Sequence, residues 1–84
     1  MVLYVYSVRD RLEGFGRPFV CSSDAFAKRD FAAAVNGDRG SSTIAFSPSD
    51  YDLYRLGKFD NDSGMITMDE LPEFVCKGSD LIAT

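Results

Sequence analysis

The sequence predicts an α+β fold, a small antiparallel sheet of three to five strands with one helix packed on one face, in a single domain spanning residues 1–84. Two observations predict the sheet: the aromatic-rich segments at 2–8 and 51–59, and the turn-forming cluster at 60–64. The alanine-rich stretch at 24–36 predicts the helix. A chain of 84 residues builds one small core, in the size range where stability is marginal.

The N-terminal strand is predicted over residues 2–8, where both alternating sets of side chains are apolar or aromatic. This pattern is typical of a central strand that is covered on both faces. Residues 13–18 contain two glycines and a proline and predict a loop. A short second strand follows at 19–21, because Pro18 lacks a backbone donor and suits the start of a strand or a sheet edge.

The helix is predicted to begin at residues 22–24, whose side-chain oxygens accept bonds from the first free amides. It is expected to end at Asn36 and Gly37 in a left-handed cap. Lys28, Arg29 and Asp30 interrupt the apolar pattern and are expected to face solvent. The stripe expected to face the sheet comprises Ala27, Phe31, Ala34 and Val35.

A second long strand enters a hairpin whose turn is rich in Asp, Asn, Ser and Gly. Strict alternation places Tyr54, Leu56 and Lys58 on one face. The same alternation places Leu53, Arg55 and Phe59 on the other face. The returning strand is predicted over 65–68.

The remaining segments give weaker patterns. Residues 38–42 predict a polar loop, and 43–46 a brief strand or anchored coil. Residues 69–72 are expected to break the returning strand. A last short strand is predicted at 73–77, followed by a loose tail at 78–79.

Composition argues against catalysis and against a metal site. The chain has no histidine, which is the commonest general base and metal ligand. Residues 60–70 resemble an EF-hand loop, but with Gly64 at the glycine position the first ligand position falls on Phe59. We therefore expect a hairpin turn there, and a protein that is not an enzyme and uses no cofactor.

Cys21 and Cys76 lie in apolar surroundings and are expected to be reduced core thiols, with a disulfide between them as the alternative.

The net charge of −4 is distributed unevenly along the chain. Residues 1–40 carry six basic and five acidic groups, whereas 41–84 carry three basic and eight acidic groups. A weak, salt-sensitive contact with single-stranded DNA is therefore predicted in the N-terminal half. Most of the strand aromatics are expected in the core, with Tyr6 as the best candidate for an exposed stacking residue. The predicted nucleic-acid-binding residues are Tyr6, Arg9, Arg11, Arg17 and Arg29, the alternative being arginines scattered over a solvated surface.

Several motifs, taken in order, resemble the small nonstructural protein of gokushovirus-like microviruses, which are single-stranded DNA bacteriophages. The matching segments cover nearly the whole chain, at residues 4–10, 18–19, 24–31, 50–54, 57–60, 64 and 72–73. The resemblance implies a role around genome replication, in the switch from duplex copying to single-strand production. It carries over no catalytic or binding residue.

Two function classes follow from the resemblance and the composition. The first is a nonenzymatic regulator of phage genome replication that acts through phage or host replication proteins or through single-stranded DNA. The second is an accessory protein of virion assembly that acts by protein contacts. No secretory signal or membrane-length apolar segment is present, so we expect the protein in the cytoplasm of the infected bacterium. Small size, 45% apolar residues and edge strands predict a homo-oligomer, a dimer.

Overall fold

The computed structural model describes residues 1–38, 40 and 43–83, and in these residues it shows one antiparallel sheet with a helix on one face. Strand β1 is central, with β2 and β3 on one side of it and β4 followed by β5 on the other. The predicted α+β class is confirmed. The strands are β1 (Val2–Asp10), β2 (Gly14–Phe15), β3 (Phe19–Cys21), β4 (Tyr51–Asp60) and β5 (Ile66–Lys77). The helices are α1 (Asp24–Val35), α2 (Thr43–Phe46) and two 3₁₀ helices, Pro48–Asp50 and Gly78–Leu81.

The core lies between α1 and the sheet. Ala27, Phe31 and Val35 of α1 are buried, as their spacing of four residues predicts. Ser23 caps the start of the helix, where its Oγ accepts a hydrogen bond from the backbone amide of Phe26. The sheet contributes the side chains of Tyr6, Leu53 and Cys76 to the same buried cluster.

The C-terminal end of α1 differs from the prediction. Asn36 has a φ of −97°, so the left-handed cap expected at residues 36–37 is wrong. The side chain of Asn36 replaces it, because its Nδ2 donates to the carbonyls of Ala32 and Leu81, each at 2.9 Å. Its Oδ1 accepts from the backbone amide of Ala83 at 2.8 Å. The asparagine therefore ties the end of the helix to the chain terminus, with no need for a positive φ.

The expectation that β1 is central and covered on both faces is confirmed for its middle, where Val5, Tyr6 and Ser7 are all buried, but a helix covers only one of the two faces. Tyr4, Tyr6 and Val8 point toward α1 and pack on the core. The alternate side chains point to the opposite face, over which no helix of the described residues lies. A chain this short supplies one long helix, and one helix covers one face.

A β-bulge in β4 separates two registers. Tyr6 pairs with Arg55, yet Val5 pairs with Gly57, so Leu56 is an extra residue without a partner in β1. The bulge exchanges the faces of the residues that follow it. Phe59 therefore pairs with Leu3 on the face away from the helix, and the predicted grouping of Phe59 with Leu53 and Arg55 is wrong.

The β4–β5 hairpin is confirmed at the predicted turn. Gly64 has a φ of 77° and its amide donates to the Asp60 carbonyl at 2.8 Å. The Asp60 carboxylate accepts the amide of Asp62 at 2.9 Å, and this bond lowers the pKa of the Asp60 carboxyl. Because strands flank the loop on both sides, it is not the helix–loop–helix of an EF-hand.

Three weaker predictions are corrected. Residues 43–46 form α2 and are neither strand nor coil. The segment at 69–72 bulges away from β4 without ending β5, which continues to Lys77. The tail at 78–79 is not loose, because it begins a 3₁₀ helix in which Gly78 is buried. Part of the polar loop predicted at 38–42 lies outside the described residues.

The two cysteines lie far apart in the sheet. Cys21 is on β3 and Cys76 on β5, with β1 and β4 between them. Three strand spacings separate them by roughly 14 Å, too far for a disulfide. Both are free thiols, and burial raises the pKa of each. The prediction of free core thiols is confirmed for Cys76, whereas Cys21 is free but only partly buried beside the core.

Arg55 joins the start of α1 to β5. Its guanidinium lies 3.8 Å from Asp24 and 3.6 Å from Asp69, and it also hydrogen-bonds to Glu73. It lies over the ring of Tyr4, 5.5 Å from the centroid. The Tyr6 hydroxyl donates to the same Asp24 carboxylate at 2.6 Å. We call these six residues the Arg55 cluster.

Removing the Tyr6 hydroxyl is expected to weaken the fold. Tyr6→Phe should lower the free energy of unfolding by about 1–2 kcal/mol, because a hydrogen bond to the Asp24 carboxylate is lost. Burial and the bond to Asp24 also raise the pKa of Tyr6. The native protein should therefore keep this contribution below about pH 10 and lose it as the pH rises further. Urea titrations at neutral and alkaline pH measure both effects. If Tyr6→Phe lost as much unfolding free energy at alkaline pH as the native protein does, the loss could not be assigned to the Tyr6 hydroxyl.

Adding a methyl group at Gly57 is expected to disturb the bulge. A Cβ there would meet the carbonyl oxygen of Thr67 and would lie 2.9 Å from the Cα of Met68, both in the β5 backbone. Gly57→Ala should therefore cost about 1–3 kcal/mol of unfolding free energy, measured by thermal or urea denaturation. Gly64→Asn is the matched control, since open space surrounds that Cβ position and asparagine tolerates a positive φ. A denaturation midpoint that is unchanged in Gly57→Ala would rule out the close approach of Gly57 to the β5 backbone.

Candidate nucleic-acid interface

The face of the sheet away from α1, which we call the open face, is built from four rungs of paired residues. Its side chains alternate with those that pack on the core. The first two rungs are Phe15–Arg9–Asp52–Lys77 and Ser7–Tyr54–Phe74. Beyond the bulge lie the rungs Val20–Val5–Gly57–Met68 and Leu3–Phe59–Ile66.

Three aromatic side chains form a continuous row across the first two rungs. The centroids of Phe15 and Tyr54 are 5.3 Å apart, and those of Tyr54 and Phe74 are 5.8 Å apart, both in edge-to-face geometry. Phe15 is 45% and Phe74 50% exposed, although both are large apolar side chains. The guanidinium of Arg9 lies 5.9 Å from the Phe15 centroid, in cation–π contact. We call Phe15, Tyr54 and Phe74 the aromatic row.

The charge of the open face differs from that of the whole chain. Its four rungs contain two basic residues, Arg9 and Lys77, and one acidic residue, Asp52. The three acids of the Arg55 cluster lie on the helix side of the sheet, and Asp60 is engaged in the hairpin turn. The aromatic row is thus set in a slightly positive surface on a chain whose net charge is −4.

The prediction that Tyr6 is an exposed stacking residue is wrong. Its ring is fully buried, 5.9 Å from that of Phe19 in a stacked pair. Its hydroxyl is held by Asp24 in the Arg55 cluster. Tyr6 points toward α1 because it alternates with Val5 and Ser7 along β1, and the buried core favours the larger aromatic side chain. A nucleic-acid base cannot reach the ring in this fold.

The four predicted arginines do not form one strip. Arg9 is on the open face, and Arg11 lies in the turn that follows β1, where its amide donates to the Asp50 carbonyl at 3.0 Å. Arg17 lies on the helix side. Arg29 is exposed on α1, so the body of the domain separates it from Arg9. Of the predicted set, Arg9 and Arg11 share the end of β1 near the aromatic row.

Arg17 lines a cavity of about 410 Å³ between the loop at 11–18 and the α2 region. Asp10 and Glu13 line it as well, beside the rings of Phe19 and Tyr51. Two carboxylates and one guanidinium make a wall of mixed charge, which does not favour a phosphate group. This cavity is therefore a weaker candidate for nucleic acid than the open face.

The sequence placed Tyr54 on a predicted strand and Phe15 in the loop predicted at 13–18, which is wrong at 14–15 because these residues form β2, and it assigned most such aromatics to the core. Tyr4, Phe19 and Tyr51 do pack on the core, whereas Phe15 and Tyr54 do not. Phe74 was missed because it adjoins the apolar pair Val75 and Cys76. The usable signal is the order along each strand: Tyr54 follows the buried Leu53, so alternation points it away from the core.

Within the described residues, no group of three or more acidic or cysteine side chains is placed to hold a metal ion. No helix among them has the length and apolar character needed to span a bilayer. A search of curated proteins and a search of solved structures found no match. The sequence profile of the family described as Phage ORF5 protein matches residues 3–81, nearly the full length of the chain. The chain therefore belongs to the Phage ORF5 protein family.

Proposed function

We propose that this phage protein is a nonenzymatic, nonstructural protein of the gokushovirus-like microviruses that acts in genome replication, and that it binds single-stranded DNA weakly through the aromatic row. Membership of a phage family and the resemblance of the ordered sequence motifs support the viral role. The single observation that carries the DNA proposal is the row of Phe15, Tyr54 and Phe74 on the open face, with Arg9 beside it.

Stacking explains why single strands would be preferred. Unpaired bases have free π faces that lie on aromatic side chains, and each such contact contributes about 1–3 kcal/mol without demanding a particular sequence. The bases of a duplex are already stacked on each other. The row offers Phe15 and Phe74 as the exposed rings, with Tyr54 between them as a half-buried support. Arg9 and Arg11 supply nearby positive charge for the phosphates.

Charge limits the affinity. Arg9, Arg11 and Lys77 are the basic residues close to the row in sequence or register, so about three phosphates would be neutralised. Three contacts to a single strand give a salt slope of about −2, which corresponds to a roughly 20-fold loss of affinity between 50 and 200 mM salt. The negative charge of the rest of the chain acts against binding at long range. This combination suits a transient regulator better than a coating protein.

A second candidate is an accessory role in virion assembly through protein contacts. The observation that favours it is the acidic C-terminal half, in which residues 41–84 carry eight acidic and three basic groups. The two candidates predict different partners. Affinity capture of the tagged protein from infected cells should recover replication proteins under the first proposal and capsid proteins under the second.

The DNA proposal predicts a specific loss when the row is truncated. Phe15→Ala and Phe74→Ala should each reduce affinity for a labelled oligonucleotide by about fivefold or more, because one stacking contact is lost. The Arg9→Ala, Arg11→Ala double variant should lose most of the binding and flatten the salt dependence. Fluorescence anisotropy at about 50 and 200 mM salt measures both the affinity and its salt dependence.

Matched controls lie on the other side of the domain. Phe46→Ala removes an equally large exposed ring from α2, and Arg29→Ala removes an exposed arginine from α1. Both should bind as the native protein does. An absence of binding at low salt, or equal losses in the control and row variants, would refute the DNA proposal and leave regulation through protein partners.

A further inference from the structure

The two rungs beyond the bulge form an apolar surface, which we call the distal patch. Ile66 and Met68 are each 58% exposed and Val20 is 45% exposed. Among the described residues of these rungs none is charged. The patch comprises these three exposed residues together with the half-buried Leu3 and Phe59 and, beneath them, the buried Val5.

The β4 and β5 residues of the distal patch lie on a hairpin that the helix does not support. Within the described residues, none at 57–68 belongs to the cluster that packs around Phe31 and Leu53. The hairpin projects from the body and lengthens the protein to 40 Å against 22 and 20 Å in the other two directions. A ribbon of two or three strands needs an apolar covering on at least one face to be stable in water. The apolar residues of the projecting hairpin are therefore suited to contact with a partner that would cover them.

The exposed area is consistent with a missing partner of modest size. The chain exposes 5615 Å². A compact monomer of the same mass would expose roughly 5000 Å². The surplus of roughly 600 Å² is close to the ~800 Å² that each subunit buries in a standard protein interface.

Because the described part of the patch carries no charge, a second copy of the protein is suited to pack against it. In a two-fold interface each patch faces itself, so any charge at its centre would meet the same charge. The distal patch avoids this repulsion. Two of the nearest acids are directed elsewhere, Asp60 into its own turn and Asp69 into the Arg55 cluster, and a third, Glu70, is exposed two residues beyond Met68. They would lie at the rim, where charged groups are usual.

The outer edge of β5 is a less suitable surface for self-association. Residues 69–72 have no partner in β4 and distort the strand. Pro72 lies in this segment and lacks a backbone donor. A bulge and a proline are the devices that prevent edge-to-edge pairing. This finding redirects the sequence-based expectation of a dimer from the sheet edge to the sheet face.

We propose that the protein forms a two-fold symmetric homodimer in which the distal patches of two copies pack face to face. Met68 and Ile66, the two most exposed residues of the patch, lie on its outer strand β5. A two-fold axis that runs across the strands places β5 of one copy over β5 of the other. The dimer is independent of DNA binding, since none of its contacts uses the aromatic row. The two proposals therefore stand or fall separately.

Sedimentation velocity of the full chain over about 1–100 μM tests the dimer, for which a micromolar Kd is expected. Met68→Glu and Ile66→Glu should each weaken dimerisation about tenfold or more, because two like charges would face each other across the axis. Leu12→Glu is the control. Leu12 lies in the β1–β2 turn, outside the patch, and is more exposed than Ile66 or Met68. The substitution adds the same charge there and should leave the dimer intact.

A mixing experiment separates a self-facing patch from other interfaces. Met68→Glu and Met68→Lys should each be monomeric, and an equimolar mixture should recover a dimer because the opposite charges attract. Far-UV circular dichroism confirms that each variant is folded. A native protein that stays monomeric at about 100 μM overturns the proposal. So does a folded Ile66→Glu or Met68→Glu variant that dimerises as well as the native protein.

Discussion

The extra residue at Leu56 in β4 sets the arrangement of the rest of the domain. Before it, β4 presents Leu53 and Arg55 to the helix and Tyr54 to the open face. After it, the faces exchange, so Phe59 joins the open face. Without the bulge, alternation would carry Phe59 to the helix side, past the end of the core. The bulge thus gives the hairpin its apolar distal patch.

The second constraint is that one long helix packs against the sheet. One helix of 12 residues covers one face of the sheet, and that face holds the core. Apart from the buried Val5 and Ser7, the open face must then either meet water or meet a partner. Its side chains do not resemble an ordinary solvated surface, because exposed phenylalanine, isoleucine, methionine and valine residues follow each other from rung to rung. We infer that the protein acts through this face.

Charge divides the open face into two halves with different uses. The half before the bulge combines aromatic rings with Arg9, Asp52 and Lys77, which suits a transient contact with a flexible, charged polymer. The half beyond the bulge is uncharged in its described residues and suits a dry contact with another protein surface. Three of the acids that contribute to the net charge lie on the other side, where they surround one arginine. A net charge of −4 is therefore a poor guide to the surface that a partner would meet.

The sequence by itself determined the elements that depend on local physics. The capped, alanine-rich helix, the hairpin turn at Gly64 and the apolar strand β1 each follow from the conformational preferences of a few neighbouring residues, and the structure has all three. Only the tertiary structure decided which side chains face a partner. Tyr6 and Tyr54 look alike in the sequence, yet one is buried beside Asp24 and the other lies on the open face. Their difference depends on which face of the sheet the single helix packs against, and that is set by contacts between segments far apart in the chain.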